Sequence, residues 1–352
     1  MKEAKLYKKI DSKIMCTACA RYCKLSSKQV GICGTRQNID GKLFSLVYGK
    51  VASSHVDPIE KKPLFHFFPG SKIFSFGTTG CNFFCAYCCN PDLSQRKKPE
   101  GQSIGPKQIV ELAKKYECEG IAYTYNEPTI FIEFAHDTGV VARKGGLKNI
   151  FVSNGYATPG SVNLMTDFLD AITVDIKGNA EKNFVKKYIG VPDAEPIFQT
   201  LLELKKTKIH IEITDLIVPK IGDDLKEAEK VCKWVLENLG EKTPVQFIRF
   251  FPSYKLIDSI NTPIKTLEKH YQVAKKVGLK YVYLGNVAGH EFENTYCPEC
   301  NKAVIERFGF EIKKWNLDEK NKCKFCGTPI PIVGQLSKSV DGDRFFSIQD
   351  LS

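Results

Sequence analysis

Cys81-Asn82-Phe83-Phe84-Cys85-Ala86-Tyr87-Cys88 sets three thiols at C-x3-C-x2-C just beyond an apolar run ending Phe74-Ser75-Phe76-Gly77. A cubane iron–sulfur cluster has four irons and is ordinarily held by four thiolates. Three closely spaced cysteines would hold such a cluster and leave one iron open to another ligand. The plainer alternative, a zinc knuckle short of a ligand, needs a fourth donor from elsewhere in the chain.

The remaining thiols reinforce a metal reading. The chain has 352 residues and fourteen cysteines. No apolar run approaches the ~18 residues of a membrane span. Met1–Lys9 has no apolar stretch of the secretory kind, so the expectation is a cytoplasmic protein whose thiols stay reduced. Cys297, Cys300, Cys323 and Cys326 form two C-x2-C knuckles, a zinc-ribbon spacing in which four thiolates bind Zn²⁺, with rubredoxin-like iron as the alternative. Cys16, Cys19, Cys23 and Cys33 suit either Zn²⁺ or an auxiliary [4Fe–4S] cluster. Cys118 and Cys232 fall in helix-like stretches and read as buried small apolar residues; Cys89 is also expected to pack.

Apolar residues make up 43%, enough for a sizeable core, and the formal charge is +11. Filled thiolate sites would cancel about half of that charge. The case for an acidic partner such as RNA therefore rests on residues 1–30, where eight basic side chains face Glu3 and Asp11. A solvated basic face accounts for that excess equally simply.

Outward from the cysteine loop, short strand-like runs alternate with amphipathic stretches. Strands are expected at 73–78, 120–125, 148–153, 170–176, 208–218, 244–250 and 280–285. Helices are expected at 106–117, 129–144, 160–168, 179–188, 195–206, 223–239 and 263–277. That alternation predicts a parallel α/β fold. The expected organisation is a four-cysteine segment (1–49), a barrel (50–291) entered through a connector at 50–72, a zinc-ribbon-like module (292–335) and a tail (336–352). Thr173, Asp175 and Lys177 share one strand face, as do His210, Glu212 and Thr214. Polar side chains on barrel strands point to an active mouth at the carboxyl ends.

C-x3-C-x2-C after a strand, with Tyr87 before the last cysteine, resembles the radical S-adenosylmethionine (SAM) superfamily. The resemblance implies a [4Fe–4S] cluster on Cys81, Cys85 and Cys88 whose open iron chelates SAM, with an electron donor to drive SAM cleavage. It implies that Tyr87 lies near the adenine. Tyr125-Asn126-Glu127-Pro128 stands where relatives carry G-G-E-P, so Glu127 carries over to the SAM site. Ser153-Asn154-Gly155 resembles T-N-G, and Asp175-Ile176-Lys177 resembles D-L-K, of glycyl-radical-activating enzymes; these bring Ser153, Asn154, Asp175 and Lys177 to SAM. Phe251-Pro252-Ser253-Tyr254 departs from the P-[FY]-H of those activases, so the substrate pocket should differ.

Residues 16–25, Gly31-Ile32-Cys33-Gly34, Asp57-Pro58-Ile59-Glu60-Lys61-Lys62-Pro63-Leu64, Leu284-Gly285-Asn286 and the four-cysteine tail together resemble the radical SAM member of the AmmeMemoRadiSam system. That resemblance covers residues 15–335 and implies a partial (β/α)6-like barrel with AMMECR-type and Memo-type partners. The substrate is expected to be a macromolecule, RNA or protein, approaching Glu212, Arg249 and Tyr254. Activation of a glycyl-radical enzyme and a non-catalytic metal scaffold are the alternatives.

Overall fold

A computed structural model describes residues 1–95 and 98–351. The central sheet has nine strands: β1 (Ser53–Pro58), β2 (Lys72–Gly77), β3 (Gly120–Tyr123), β4 (Lys148–Ser153), β5 (Ala171–Lys177), β6 (His210–Ile217), β7 (Val245–Arg249), β8 (Val282–Gly285) and β9 (Phe346–Ser347). Their spatial order is β8-β7-β6-β5-β4-β3-β2-β1-β9. β2 to β8 are all parallel, whereas β1 and β9 run antiparallel at one edge. The sheet is therefore an open barrel with one more parallel strand than a (β/α)6 unit.

Helices α1 (Pro106–Lys115), α2 (Ile132–Lys144), α3 (Pro159–Thr166), α4 (Glu195–Lys205), α5 (Leu225–Asn238) and α6 (Ile264–Val277) connect the strands. Their starts follow local chemistry. Thr158 accepts from the Ser161 amide at α3, and Asp224 from Lys226 and Glu227 at α5, supplying acceptors to otherwise unpaired first-turn donors. Gly278 ends α6 in the left-handed conformation. The stretch 179–188, expected as a helix, is instead a 3-10 turn, one short turn and a π-turn ending at Gly190. The reason is local: Asn179 and Ala180 take positive φ.

Segment 50–72 is more than a connector. After β1 it makes a 3-10 turn at Ile59–Lys61 and then plugs the amino end of the barrel. Ile59, Leu64 and Phe67 pack there against Ile73, Ala122, Ile150 and Ala171, one residue from each of β2 to β5. The C-terminal three-stranded sheet (Thr295–Tyr296, Ala303–Phe308, Glu311–Trp315) packs on the same plug, with Phe65, Tyr281, Tyr283, Val304 and Ile305 in one apolar cluster. The stretch 336–351 returns to the barrel as edge strand β9, and Ser352 lies outside the described residues. Among the described residues no helix is long and apolar enough to cross a membrane.

Candidate active site

The cysteine loop leaves β2 at its carboxyl end and is shaped by backbone bonds. The Phe84 and Ala86 amides donate to the Ile189 and Tyr188 carbonyls at 2.9 and 2.8 Å. Asn126 ties the loop to β3, its amide donating to Thr78 Oγ1 (3.0 Å) and to the Gly80 carbonyl (2.8 Å). The two positions that replace glycines are thereby explained. Tyr125 adopts the left-handed backbone a glycine would take (φ 70°) and sends its hydroxyl to Asp57 at 2.7 Å.

The three thiols lie within electrostatic reach of one another. Cys81 Sγ accepts from the Phe83 amide, and Cys88 Sγ from the Asn90 amide, both at 3.4 Å; Ser94 Oγ lies 3.0 Å from Cys88 Sγ. Hydrogen bonds to sulfur of this kind tune a cluster's potential. Burial pushes the Cys85 thiol up to about 12, against the pull of Lys177 beside it; a bound metal would displace that proton outright. Cys118 and Cys232 are buried as expected, whereas Cys89 is exposed beside the loop.

Three strand ends meet this loop. At β5, Lys177 Nζ donates to Asp175 Oδ2 at 2.7 Å, and Thr214 on β6 donates to Asp175 Oδ1. Burial alone would lower the Lys177 ammonium, but Asp175 and Cys85 hold it raised. At β4, Asn154 Nδ2 donates to Asn82 Oδ1 (2.8 Å), joining the Ser153-Asn154-Gly155 turn to the cysteine loop. Glu127 accepts from Thr129 N (3.0 Å), Thr129 Oγ1 (2.6 Å), Ser153 Oγ (2.9 Å) and Asn154 N (2.7 Å). Its carboxylate is thus committed to orienting Ser153 and Asn154. Tyr87 is buried, its ring stacked on Phe184 at 5.6 Å between centroids.

The remaining expected residues separate. Arg249 ends β7, donating to the Thr262 carbonyl at 2.9 Å, and Tyr254 lies in a segment that touches the cysteine loop. There Ser253 Oγ donates to the Tyr87 carbonyl at 2.8 Å and Lys255 N to the Ala86 carbonyl at 2.9 Å. Glu212 lies in the amino half of β6, where it accepts from the Phe65 and His66 amides at 2.9 and 2.8 Å and contacts His210 Nε2 at 3.0 Å. The structure thus brings Glu212 to the plug and not to the cysteine loop.

Asp215, on β6, was not singled out by its sequence context. It accepts from the Asn179 amide at 3.1 Å, and its electrostatic neighbours include Lys177, Asp175 and Tyr87. Burial pushes its carboxyl up to about 8. Its Oδ2, Asn82 Nδ2 and Asn179 Oδ1 are buried without a hydrogen-bond partner, while the Tyr87 hydroxyl is engaged by the Cys85 thiol. Buried polar atoms are ordinarily paired, and the free amide donor of Asn82, in the cysteine loop beside Asn154, suits a polar ligand there. Three thiols short of a full cubane set, beside an ion pair and an unpaired amide donor, suit a cluster that holds a zwitterion such as SAM.

The C-terminal cysteines gather tightly. Cys297 and Cys326 Sγ are 3.5 Å apart, Cys300 and Cys323 3.7 Å, and all four ligand atoms lie within 4.8 Å of one another.

Residues 76–235 match the family described as the radical SAM superfamily. An uncharacterized protein of Methanocaldococcus jannaschii is 45% identical over 337 residues, covering 95% of this chain and 100% of its own. The (2S)-3-sulfopropanediol dehydratase activating enzyme of Klebsiella oxytoca is 27% identical over 148 residues, 40% of this chain and 46% of that protein. Streptococcus suis SuiB bound to S-adenosylmethionine aligns over 65% of this chain and 53% of its own, with 9% identity and a TM-score of 0.48.

Proposed function

We propose that the chain, whose residues 76–235 match the radical SAM superfamily, binds a [4Fe–4S] cluster on Cys81, Cys85 and Cys88, cleaves SAM reductively, and modifies a macromolecule. When bound, cluster and SAM together supply a 5′-deoxyadenosyl radical that abstracts hydrogen, chemistry that belongs to the cofactor. The observation that carries the reading is the convergence of the three-cysteine loop with the Asp175–Lys177 pair, Lys177 lying within electrostatic reach of Cys85, at one end of the barrel.

The protein's share is orientation. Asp175 and Lys177 present a carboxylate and an ammonium of opposite sign to the amino and carboxylate groups of SAM. Ser153 and Asn154, fixed by Glu127, line the same site, and Arg249 and Tyr254 border the substrate's approach. A protein substrate is supported by the similarity to a dehydratase activating enzyme; the basic front supports RNA. AMMECR-type and Memo-type proteins are the partners to test by co-purification. The C-terminal cysteines would hold Zn²⁺, whose tetrahedron of bonds of about 2.3 Å puts sulfurs about 3.8 Å apart.

Anaerobic reconstitution, reduction and mass spectrometry of SAM products test the reading. The assay uses methyl-deuterated SAM with host extract split into RNA and protein. We expect 5′-deoxyadenosine that disappears in Cys85→Ala. A fully loaded cluster that yields none in any fraction overturns the catalytic reading and leaves a metal-binding scaffold.

A further inference from the structure

The two four-cysteine sites have different geometries. At the C-terminal site the sulfurs meet, at spacings a single tetrahedral ion imposes. Among the described residues no other group of cysteines is gathered that tightly. Cys16, Cys19, Cys23 and Cys33 instead line, with Ala18, Gly31 and Arg36, a cavity of about 10 Å³. Four sulfurs about 2.3 Å from one zinc would leave no such room. A cubane does the opposite: its irons and sulfides fill the middle and hold the thiolates outward.

Two further residues shape the wall of the cavity. Gly31 lies against it, where a Cβ would be in ordinary contact with Cys33 Sγ at 3.8 Å and Cys23 Sγ at 3.9 Å. The Arg36 guanidinium lines it, 2% exposed, and donates to Glu133 at 3.2 and 2.5 Å and to the Ile130 carbonyl at 2.9 Å. Glu133 thereby neutralises the Arg36 cation, which fixes the wall of the cavity.

The cavity also abuts the catalytic loop. Gly80, the residue before Cys81, touches Cys33 so closely that a Cβ would lie 2.4 Å from the Cys33 carbonyl oxygen. Arg21 Nε donates to the Asn82 carbonyl at 2.9 Å, and Cys19 bridges Ala157 beyond the Ser153-Asn154-Gly155 turn. Cys33 and Cys81 are therefore joined by one backbone contact, one peptide unit and two short side chains, a path on the order of 10–15 Å.

We infer that Cys16, Cys19, Cys23 and Cys33 hold a second [4Fe–4S] cluster rather than zinc, and that it relays single electrons to the cluster on Cys81, Cys85 and Cys88. With four thiolates it has no open iron, so it binds neither SAM nor substrate. It is reduced from the 2+ to the 1+ state by a low-potential one-electron carrier protein. It returns to 2+ when that electron passes to the neighbouring cluster. The relay rests on the proposed SAM cleavage; the identity of the metal does not.

Metal and sulfide analysis with Mössbauer and EPR spectroscopy, on the anaerobically reconstituted full chain and on a Cys81→Ala/Cys85→Ala/Cys88→Ala variant, tests both parts. We expect about eight irons and eight sulfides in the parent and about four of each in the variant, with a reduced EPR signal insensitive to SAM. The fully reduced parent should show magnetic coupling that the variant lacks. Four irons in the parent, none in the variant and two zincs in both would overturn the second cluster. Four irons in both would instead break the catalytic-cluster reading. Two uncoupled clusters would defeat the relay alone. If the variant does not fold, the parent's iron and zinc counts still decide the metal.

Discussion

The two ends of the barrel use the same residue types for opposite purposes. At the amino end Glu212 accepts two backbone amides of the plug, and His66 bridges the Pro331 carbonyl (3.1 Å) and the Tyr283 hydroxyl (2.6 Å). Since the carbonyl can only accept, Nδ1 carries the proton and the neutral ring's Nε2 accepts. At the carboxyl end, Asn82 in the cysteine loop keeps a buried amide donor without a partner. Paired polar groups fix a structure, whereas unpaired ones cost stability that a ligand can recover. Substitutions should therefore act on folding at one end and on chemistry at the other.

The largest loss of stability expected is that of Glu212→Ala, which strands the Phe65 and His66 amides and should cost about 4 kcal/mol. Denaturant unfolding would register the loss, while SAM cleavage per folded molecule stays unchanged. A fall in cleavage with stability intact would break the comparison.

Next comes the pH response of the plug. Burial lowers His66 to about 4, against a weaker raising pull from Glu212. An unfolded imidazole binds its proton at about 6.5, so between those values the unfolded state holds more protons. Stability is therefore fully present above pH ~6.5 and falls by about 3 kcal/mol as pH drops to ~4. His66→Gln should flatten that acid slope; parallel curves for the two proteins would remove His66 as its source.

Asp175→Ala takes the partner from Lys177 and Thr214. By the usual weight of such supporting contacts it should lower SAM cleavage 10–100-fold, with little change in the unfolding midpoint. Equal kinetics would remove the ion pair from the site.

A pH effect of the opposite sign belongs to the carboxyl end. Asp215 stays protonated to about pH 8 through burial, although the Asn179 amide and Lys177 favour its ionised form. The unfolded carboxyl ionises near pH 4, so the folded state holds the extra proton and stability declines from pH ~4 to ~8. Asp215→Asn, an isostere of the neutral acid, should match the parent near pH 4 and exceed it by about 5 kcal/mol at pH 8. A variant no more stable than its parent would count against a strained carboxyl there.

Much of this division was legible in the chain. All seven parallel strands fall where apolar runs alternate with amphipathic stretches, because a covered parallel sheet permits little else. Three thiols at C-x3-C-x2-C and the Asp175-Ile176-Lys177 pair declared the carboxyl end. What stayed hidden was position along a strand. Glu212 and Asp175 both lie on polar strand faces, but the sheet register sets Glu212 opposite Thr173 and Asp175 opposite Thr214, one step nearer the mouth. The partner that claims Glu212 comes from residues 65 and 66, remote in sequence. Asp215 alternates with Ile211 and Ile213, so its parity read as apolar; its signal was a carboxylate set in a hydrophobic face.

The short strand β9 has a consequence for solubility. It covers the outer edge of β1 through Phe346 and Ser347, and Arg344 reaches Glu60 at 3.1 Å to hold the stretch down. Without it, β1 would offer an open row of amides and carbonyls, the template on which a second chain adds and aggregates begin. Glu60 would be left buried and without its arginine. Seven or eight residues at the far end of the polypeptide thus act as a guard against self-association for a sheet built almost entirely before them.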